Sequence, residues 1–237
     1  MNKKEIASMI DQTLLSATAT SKEVADFCKE AGEYGFASVC INPVYVSLAS
    51  DVLKGTSTKV CTVIDFPLGA GGIQSKTSQA DLAITDGADE LDFVINLGLV
   101  KAHEWKELTA ELTAVIKSVK EAAMFAMEDE KPRSSITTKL ILETCYLSDE
   151  EIVESCKCAK TAGFDFVKTS TGFAIMKDKD GKLLPNGATV HAVKLMRDTV
   201  GKDMGVKASG GVHNYKEAMA GLKQEPPESE LLPELKS

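Results

Sequence analysis

The strongest constraint on this chain is an alternation between two hydrophobic periods. Short β-branched apolar runs recur at residues 36–41 (FASVCI), 59–64 (KVCTVI), 90–95 (ELDFVI), 139–144 (KLILET), 165–170 (DFVKTS) and 206–210 (VKASG). A further short run lies at 9–15 (MIDQTLL). Between them stand amphipathic helical stretches such as 21–35 and 104–123. Helix-start patterns of the T/S/N-x-x-E kind occur at Thr20/Glu23, Ser148/Glu151 and Asn214/Glu217. Glycines at 35, 87, 163 and 205 are placed to close helices ahead of the next run. Seven βα units follow, and strands that alternate with helices pair in parallel. A doubly wound sheet would carry G-x-G-x-x-G after its first strand, where this chain reads DQTLLSATAT. A TIM (β/α)8-type barrel fits better, because Asp11, Asn42, Asp65, Asn96, Glu143, Lys168 and Lys207 all fall at or near the C-terminal ends of the predicted strands. Polar ends on strand after strand make one polar mouth.

Composition removes several function classes. The 237 residues, 43% of them hydrophobic, suit an α/β domain with a substantial core. The six cysteines (28, 40, 61, 145, 156, 158) form no C-x-x-C, and the three histidines (103, 191, 213) are as scattered, so no zinc spacing exists and no metal is expected. A net charge of −8 argues against nucleic acid as the partner. MNKKEIASMI lacks the apolar stretch of a signal peptide, and no run is long enough to span a membrane. A cytoplasmic protein with reduced cysteines is the expectation.

The chemistry concentrates in GFDFVKTSTGF, residues 163–173, and GVKASGG, residues 205–211. Lys168 and Lys207 take equivalent places on successive strands about 4.8 Å apart. A lone strand lysine usually snorkels or is neutralised by a buried carboxylate. Two neighbouring buried lysines instead favour a neutral amine on one of them, and a neutral amine attacks carbonyls. Asp92, in DELDFVINLG, is placed to move protons or to neutralise one lysine. The hydroxyls and glycines of TSTG and SGGV, with a helix N-terminus at Asn214, suit an anion.

Together IDQTLL, FASVCINP, VIDFPLGA, DGADELDFVINLG, KLILETCYLSDEE, AGFDFVKTSTGF and GVKASGGV resemble the deoxyribose-phosphate aldolase family from about residue 5 to about residue 222. The resemblance implies a TIM barrel and a class I aldolase that cleaves 2-deoxy-D-ribose 5-phosphate reversibly to acetaldehyde and D-glyceraldehyde 3-phosphate, with no cofactor. It places the Schiff-base lysine on Lys168, the second lysine on Lys207 and the proton-transferring aspartate on Asp92. Asp11, Thr13, Lys139, Thr169, Gly172, Gly210 and Gly211 fall on substrate-binding positions. A phosphorylated sugar and acetaldehyde are the implied small-molecule partners, and barrels of this kind are often dimeric.

The pattern breaks in three places. Gln12 and Ser16 stand where the family motif usually has His and Lys. Residues 174–188 form a longer polar insertion, read as a surface loop. Past YKEAMAGL the family's eighth strand and its phosphate loop are missing, and the chain ends KQEPPESELLPELKS. The expectation is therefore an aldolase barrel over 1–223 with its eighth unit missing or replaced, and a disordered Pro/Glu-rich tail over 224–237 in which SELLPEL packs loosely at most. The alternative is an impaired barrel that binds sugar phosphates through an incomplete phosphate site.

Overall fold

The computed structural model describes residues 3–128, 131–132, 135–210 and 234–236. After a short helix α1 (Lys3–Ala7), strands β1 (Asp11–Leu14), β2 (Ser38–Ile41), β3 (Lys59–Ile64), β4 (Glu90–Val94), β7 (Thr137–Ile141), β8 (Phe166–Lys168) and β9 (Gly205–Lys207) form a parallel sheet in chain order. Helices α2 (Ser21–Tyr34), α3 (Val46–Leu53), α4 (Gly72–Thr85), α5 (Leu97–Lys101), α6 (Trp105–Phe125), α7 (Asp149–Ala162) and α8 (Val190–Val200) lie between them. A two-stranded antiparallel ribbon, β5 (Met127–Glu128) with β6 (Lys131–Pro132), follows α6 and has no counterpart in the sequence reading.

Local signals set the helix ends. Thr20 accepts the Glu23 N–H while the Glu23 carboxylate accepts the Thr20 N–H, and Ser148 and Glu151 repeat this reciprocal cap on α7. Helix α2 buries Val24, Phe27, Cys28 and Ala31, a stripe at helical spacing that faces the sheet. Gly35 and Gly163 close α2 and α7 in the left-handed conformation. Gly205 does not close a helix. Gly201 ends α8, and Gly205 opens β9, where a Cβ would fall 2.0 Å from the Phe166 ring. The Asn214/Glu217 cap and Gly211 lie outside the described residues.

The main core fills the space between the sheet and the helices, with Phe93, Leu91, Ile64, Leu108 and Leu112 among its fully buried members. A smaller cluster of Leu15, Cys40, Cys61 and Val63 packs within the ring of strands. The sheet curls far enough that Asp11 on β1 meets Lys207 on β9, six strands along. This is the TIM-type barrel the alternation implies.

Two expectations about its edge need correction. Asp11 is the first residue of β1, although its position read as a strand end; strand tilt in a barrel separates position along a strand from height in the mouth. The tail is also not merely loose packing, because β10 (Glu234–Lys236) pairs in parallel with β1, Asp11 opposite Glu234 and Thr13 opposite Lys236. An open strand edge offers backbone groups that any sequence can bond. Among the described residues no pairing joins β9 to β10.

Candidate active site

Asn42, Asp65, Asn96 and Glu143 follow the ends of β2, β3, β4 and β7, and Lys168 and Lys207 end β8 and β9. The ladder sets Lys168 directly opposite Lys207, and Ile141 opposite Lys168. Lys139, Lys168, Lys207, Asp11 and Asp92 are all 1% exposed or less. Such burial of five charged side chains requires pairing among them.

The pairing centres on two aspartates. Lys168 donates to Asp92 Oδ2 at 2.9 Å, and Lys139 donates to Asp92 Oδ1 at 2.9 Å. Asp11 Oδ2 accepts from Lys207 and lies 3.3 Å from Lys139 Nζ. Lys139 also donates to Glu90 Oε2 at 2.5 Å and to Cys61 Sγ at 3.4 Å. Burial pushes the Asp92 carboxyl up, but the Lys139 and Lys168 charges and their hydrogen bonds outweigh it and hold it at about 2. Burial acts to lower the Lys139 ammonium, yet the Asp92 and Glu90 carboxylates raise it well above its ordinary value. Burial also pushes the Cys61 thiol well up, so it stays protonated and donates to Asp92 Oδ1 at 3.3 Å.

Two sets, the buried Cys40–Cys61–Asp92 and Asp11–Cys61–Glu90 with its half-buried glutamate, bring metal-ligand atoms within 4.8 Å of one another. Lys139 already contacts Cys61, Asp92, Asp11 and Glu90. An ammonium stands where a metal ion would have to sit. All six cysteines are free thiols.

The turns after Lys168 and Lys207 are tied to each other. Thr169 Oγ1 accepts the Ser209 N–H at 2.9 Å and donates to Ser209 O at 3.1 Å, while Ser209 Oγ accepts the Ser170 N–H at 3.0 Å. The Thr169 hydroxyl thus braces the turns. Thr13 likewise donates within its own strand, to Asp11 O at 3.1 Å. Gly172 and Gly210 both have φ of 79°, which a side chain would strain. The 174–188 insertion carries a Lys177–Leu183 antiparallel bridge and is rooted at these turns: Asn186 donates to Ala174 O at 2.6 Å and Ala188 N–H to Ser209 O at 2.9 Å. A Cβ on Gly187 would sit 2.4 Å from Gly210 O.

Sequence reasoning missed two features. The buried Ser170 hydroxyl has no partner among the described residues, and neither has Asp11 Oδ1. Lys76, on α4, is fully buried and donates to Gly69 O at 2.8 Å and Glu111 Oε1 at 2.8 Å, with Asp65 Oδ2 at 3.0 Å. Its signal was present: Lys76 shares the stripe of Ala80, Ala83 and Ile84, and Glu111 that of Leu108, Leu112 and Val115.

A family model described as DeoC/LacD family aldolase matches residues 6–223. The chain belongs to this family of aldolases. The chain is 49% identical over 218 residues to the deoxyribose-phosphate aldolase of Caldanaerobacter subterraneus subsp. tengcongensis, covering 92% of this chain and 85% of that protein. It is 46% identical over 223 residues to the Clostridium perfringens (strain ATCC 13124) enzyme of the same name, covering 94% and 89%. The tetrameric deoxyribose phosphate aldolase from Aeropyrum pernix superposes with a TM-score of 0.79 at 29% identity, over 98% of this chain and 87% of that one. As a DeoC/LacD family member the chain is a lyase on a TIM-type barrel. No helix among the described residues is long and apolar enough to cross a membrane.

Proposed function

We propose that the chain is a cytoplasmic class I aldolase that cleaves 2-deoxy-D-ribose 5-phosphate reversibly to acetaldehyde and D-glyceraldehyde 3-phosphate through a Schiff base on Lys168. The observation that carries this reading is the fully buried Lys168 ammonium against Asp92, 2.9 Å away, with Lys207 opposite it in the ladder. Burial favours the neutral amine, the form that attacks the C1 aldehyde of the open-chain sugar. Loss of water gives the iminium. A base then takes the proton of the C3 hydroxyl, the C2–C3 bond breaks, and its electron pair enters the iminium as the enamine. Glyceraldehyde 3-phosphate leaves, C2 is protonated, and water releases acetaldehyde.

Asp92 suits the proton transfers, because a Lys168 that has lost its proton removes one of the cations holding the carboxyl low. Lys207 supplies a second amine, set by Asp11. Lys139, surrounded by acceptors, fixes the two aspartates, and Thr169 braces the turn. The unpartnered Ser170 hydroxyl, with Gly172 and Gly210, suits the phosphate end. The small-molecule partners are the sugar phosphate and acetaldehyde, and a homo-oligomer is the assembly in keeping with the tetrameric relative.

The test is release of glyceraldehyde 3-phosphate from 2-deoxyribose 5-phosphate by wild type and by Lys168→Ala. Wild type should turn over, and the variant should lose roughly four powers of ten or more, as enzymes stripped of a covalent nucleophile do. Turnover retained in Lys168→Ala refutes the Schiff base. Wild-type protein that binds the sugar phosphate without cleaving it would instead establish the impaired barrel.

A further inference from the structure

Glu143 is a buried acid that the proposed chemistry does not use. It lies two residues beyond β7, is 2% exposed, and holds φ 56° and ψ 58°, the left-handed region that residues with side chains rarely adopt. Strain of that kind persists where surrounding contacts over-determine it. Here the Cys145 thiol donates to Oε1 at 3.9 Å, and the other side-chain contacts run to Thr171. Both Glu143 oxygens accept the Thr171 N–H, at 3.2 and 3.3 Å, and Oε2 also accepts the Thr171 hydroxyl. The next residue, Thr144, donates its N–H to Thr169 O at 2.9 Å. Thr171 Oγ1 in turn accepts the Phe173 N–H at 3.0 Å, and the Phe173 ring meets Phe66 edge to face at 5.1 Å.

The turn after Lys168 is therefore clamped from two sides. Ser209 holds Thr169 and Ser170 on one flank, and Glu143 holds Thr171 on the other. Between the clamps, Ser170 keeps a buried hydroxyl with no partner among the described residues, and Gly172 turns at φ 79°. A carboxylate does not itself suit an anionic ligand, and this one already accepts from Thr171 and from the Cys145 thiol. Burial raises the Glu143 carboxyl, while the Thr171 bonds and the Lys168 charge pull it down.

We propose that Glu143 is a positioning residue: by gripping the Thr171 N–H and hydroxyl it sets the turn so that the Ser170 hydroxyl and Gly172 meet the phosphate end of the substrate. The proposal rests on the aldolase reading above, and its test separates the two. Glu143→Ala should raise KM for 2-deoxyribose 5-phosphate roughly 10- to 100-fold, the effect of one or two charge-assisted hydrogen bonds. kcat/KM for unphosphorylated 2-deoxyribose and the rate of borohydride trapping with acetaldehyde should each stay within about threefold. Glu143→Gln keeps an acceptor oxygen and should recover most of the KM. If Glu143→Ala does not fold, Thr171→Val removes only the hydroxyl of the pair and should show the same selective rise in smaller measure. An equal loss on both sugars, or an unchanged KM for the phosphate ester, overturns the positioning role. Absence of an acetaldehyde adduct in wild type overturns the aldolase reading instead.

Discussion

Two groups of fully buried lysines can be set side by side. At Lys76 one ammonium faces two carboxylates, Asp65 and Glu111, and the Gly69 carbonyl. Three acceptors match its three protons. Inside the barrel the aspartates are shared: Asp92 by Lys139 and Lys168, and Asp11 by Lys139 and Lys207, with Glu90 held by Lys139 as well. Burial is equal in the two places, so burial alone does not mark a reactive lysine. What differs is who shares the anion. A buried lysine that shares its anion with a second cation can more readily give up a proton.

The Lys76 group also has a mechanical task. It anchors the segment after β3, where Asp65 takes a left-handed φ of 54° and its carboxylate accepts the Gly71 N–H at 2.9 Å. That segment carries Phe66, which packs on the cluster of Leu15, Cys40, Cys61 and Val63 and against Phe173 beside the mouth. One lysine group thus shapes the wall, and the other carries the proposed chemistry.

If this contrast holds, Lys76→Met is its most damaging test. Removing the cation strands two buried carboxylates, and unfolding stability should fall by about 3–5 kcal/mol. Protein that remains folded should still form an acetaldehyde adduct on Lys168. A Lys76→Met variant of unchanged denaturant midpoint, or one that folds but forms no adduct, would erase the distinction.

The pH dependence of stability sharpens the same comparison with a smaller effect. The Asp92 carboxyl is lowered from 3.8 to about 2. Its stabilisation is complete above about pH 4 and is lost as pH falls towards about 2, because the unfolded chain binds the proton first. The loss should be roughly 2 kcal/mol. Urea midpoints measured from pH 5 down to pH 2 should show this slope in wild type and a flatter one in Asp92→Asn. Equal slopes in the two proteins would mean that Asp92 is not held by its lysines.

The sequence showed most clearly what neighbouring residues decide. Strand runs, the Thr20 and Ser148 caps and the helix-closing Gly35 and Gly163 depend on contacts a few positions apart, and they stand where the pattern puts them. Lys168 and Lys207 were legible because each ends a strand, so their pairing needed only adjacent strands. Asp11 was harder to place, since its level in the mouth depends on strand tilt around the whole barrel. The pairing of Glu234–Lys236 with β1 depends on an open edge more than 200 residues away in the chain, and tail composition carries no trace of it. Gly205 was misread because a glycine before a strand can serve a helix end or a close approach, and only the Phe166 ring decides between them. Glu143 stood out as a polar strand end, but its grip on the Thr171 N–H and hydroxyl joins two turns 28 residues apart, which no local pattern reveals.

The claim on which the account turns is that Lys168, which shares Asp92 with Lys139, is the reactive amine, while the equally buried Lys76 with its own carboxylates is not. Incubation with acetaldehyde and sodium borohydride, followed by proteolysis and mass mapping, tests it directly, since only an iminium-forming amine retains an ethyl group. The account predicts the ethyl group on Lys168, with Lys76 and Lys139 unmodified. An adduct on another lysine in place of Lys168, or none at all, would contradict it.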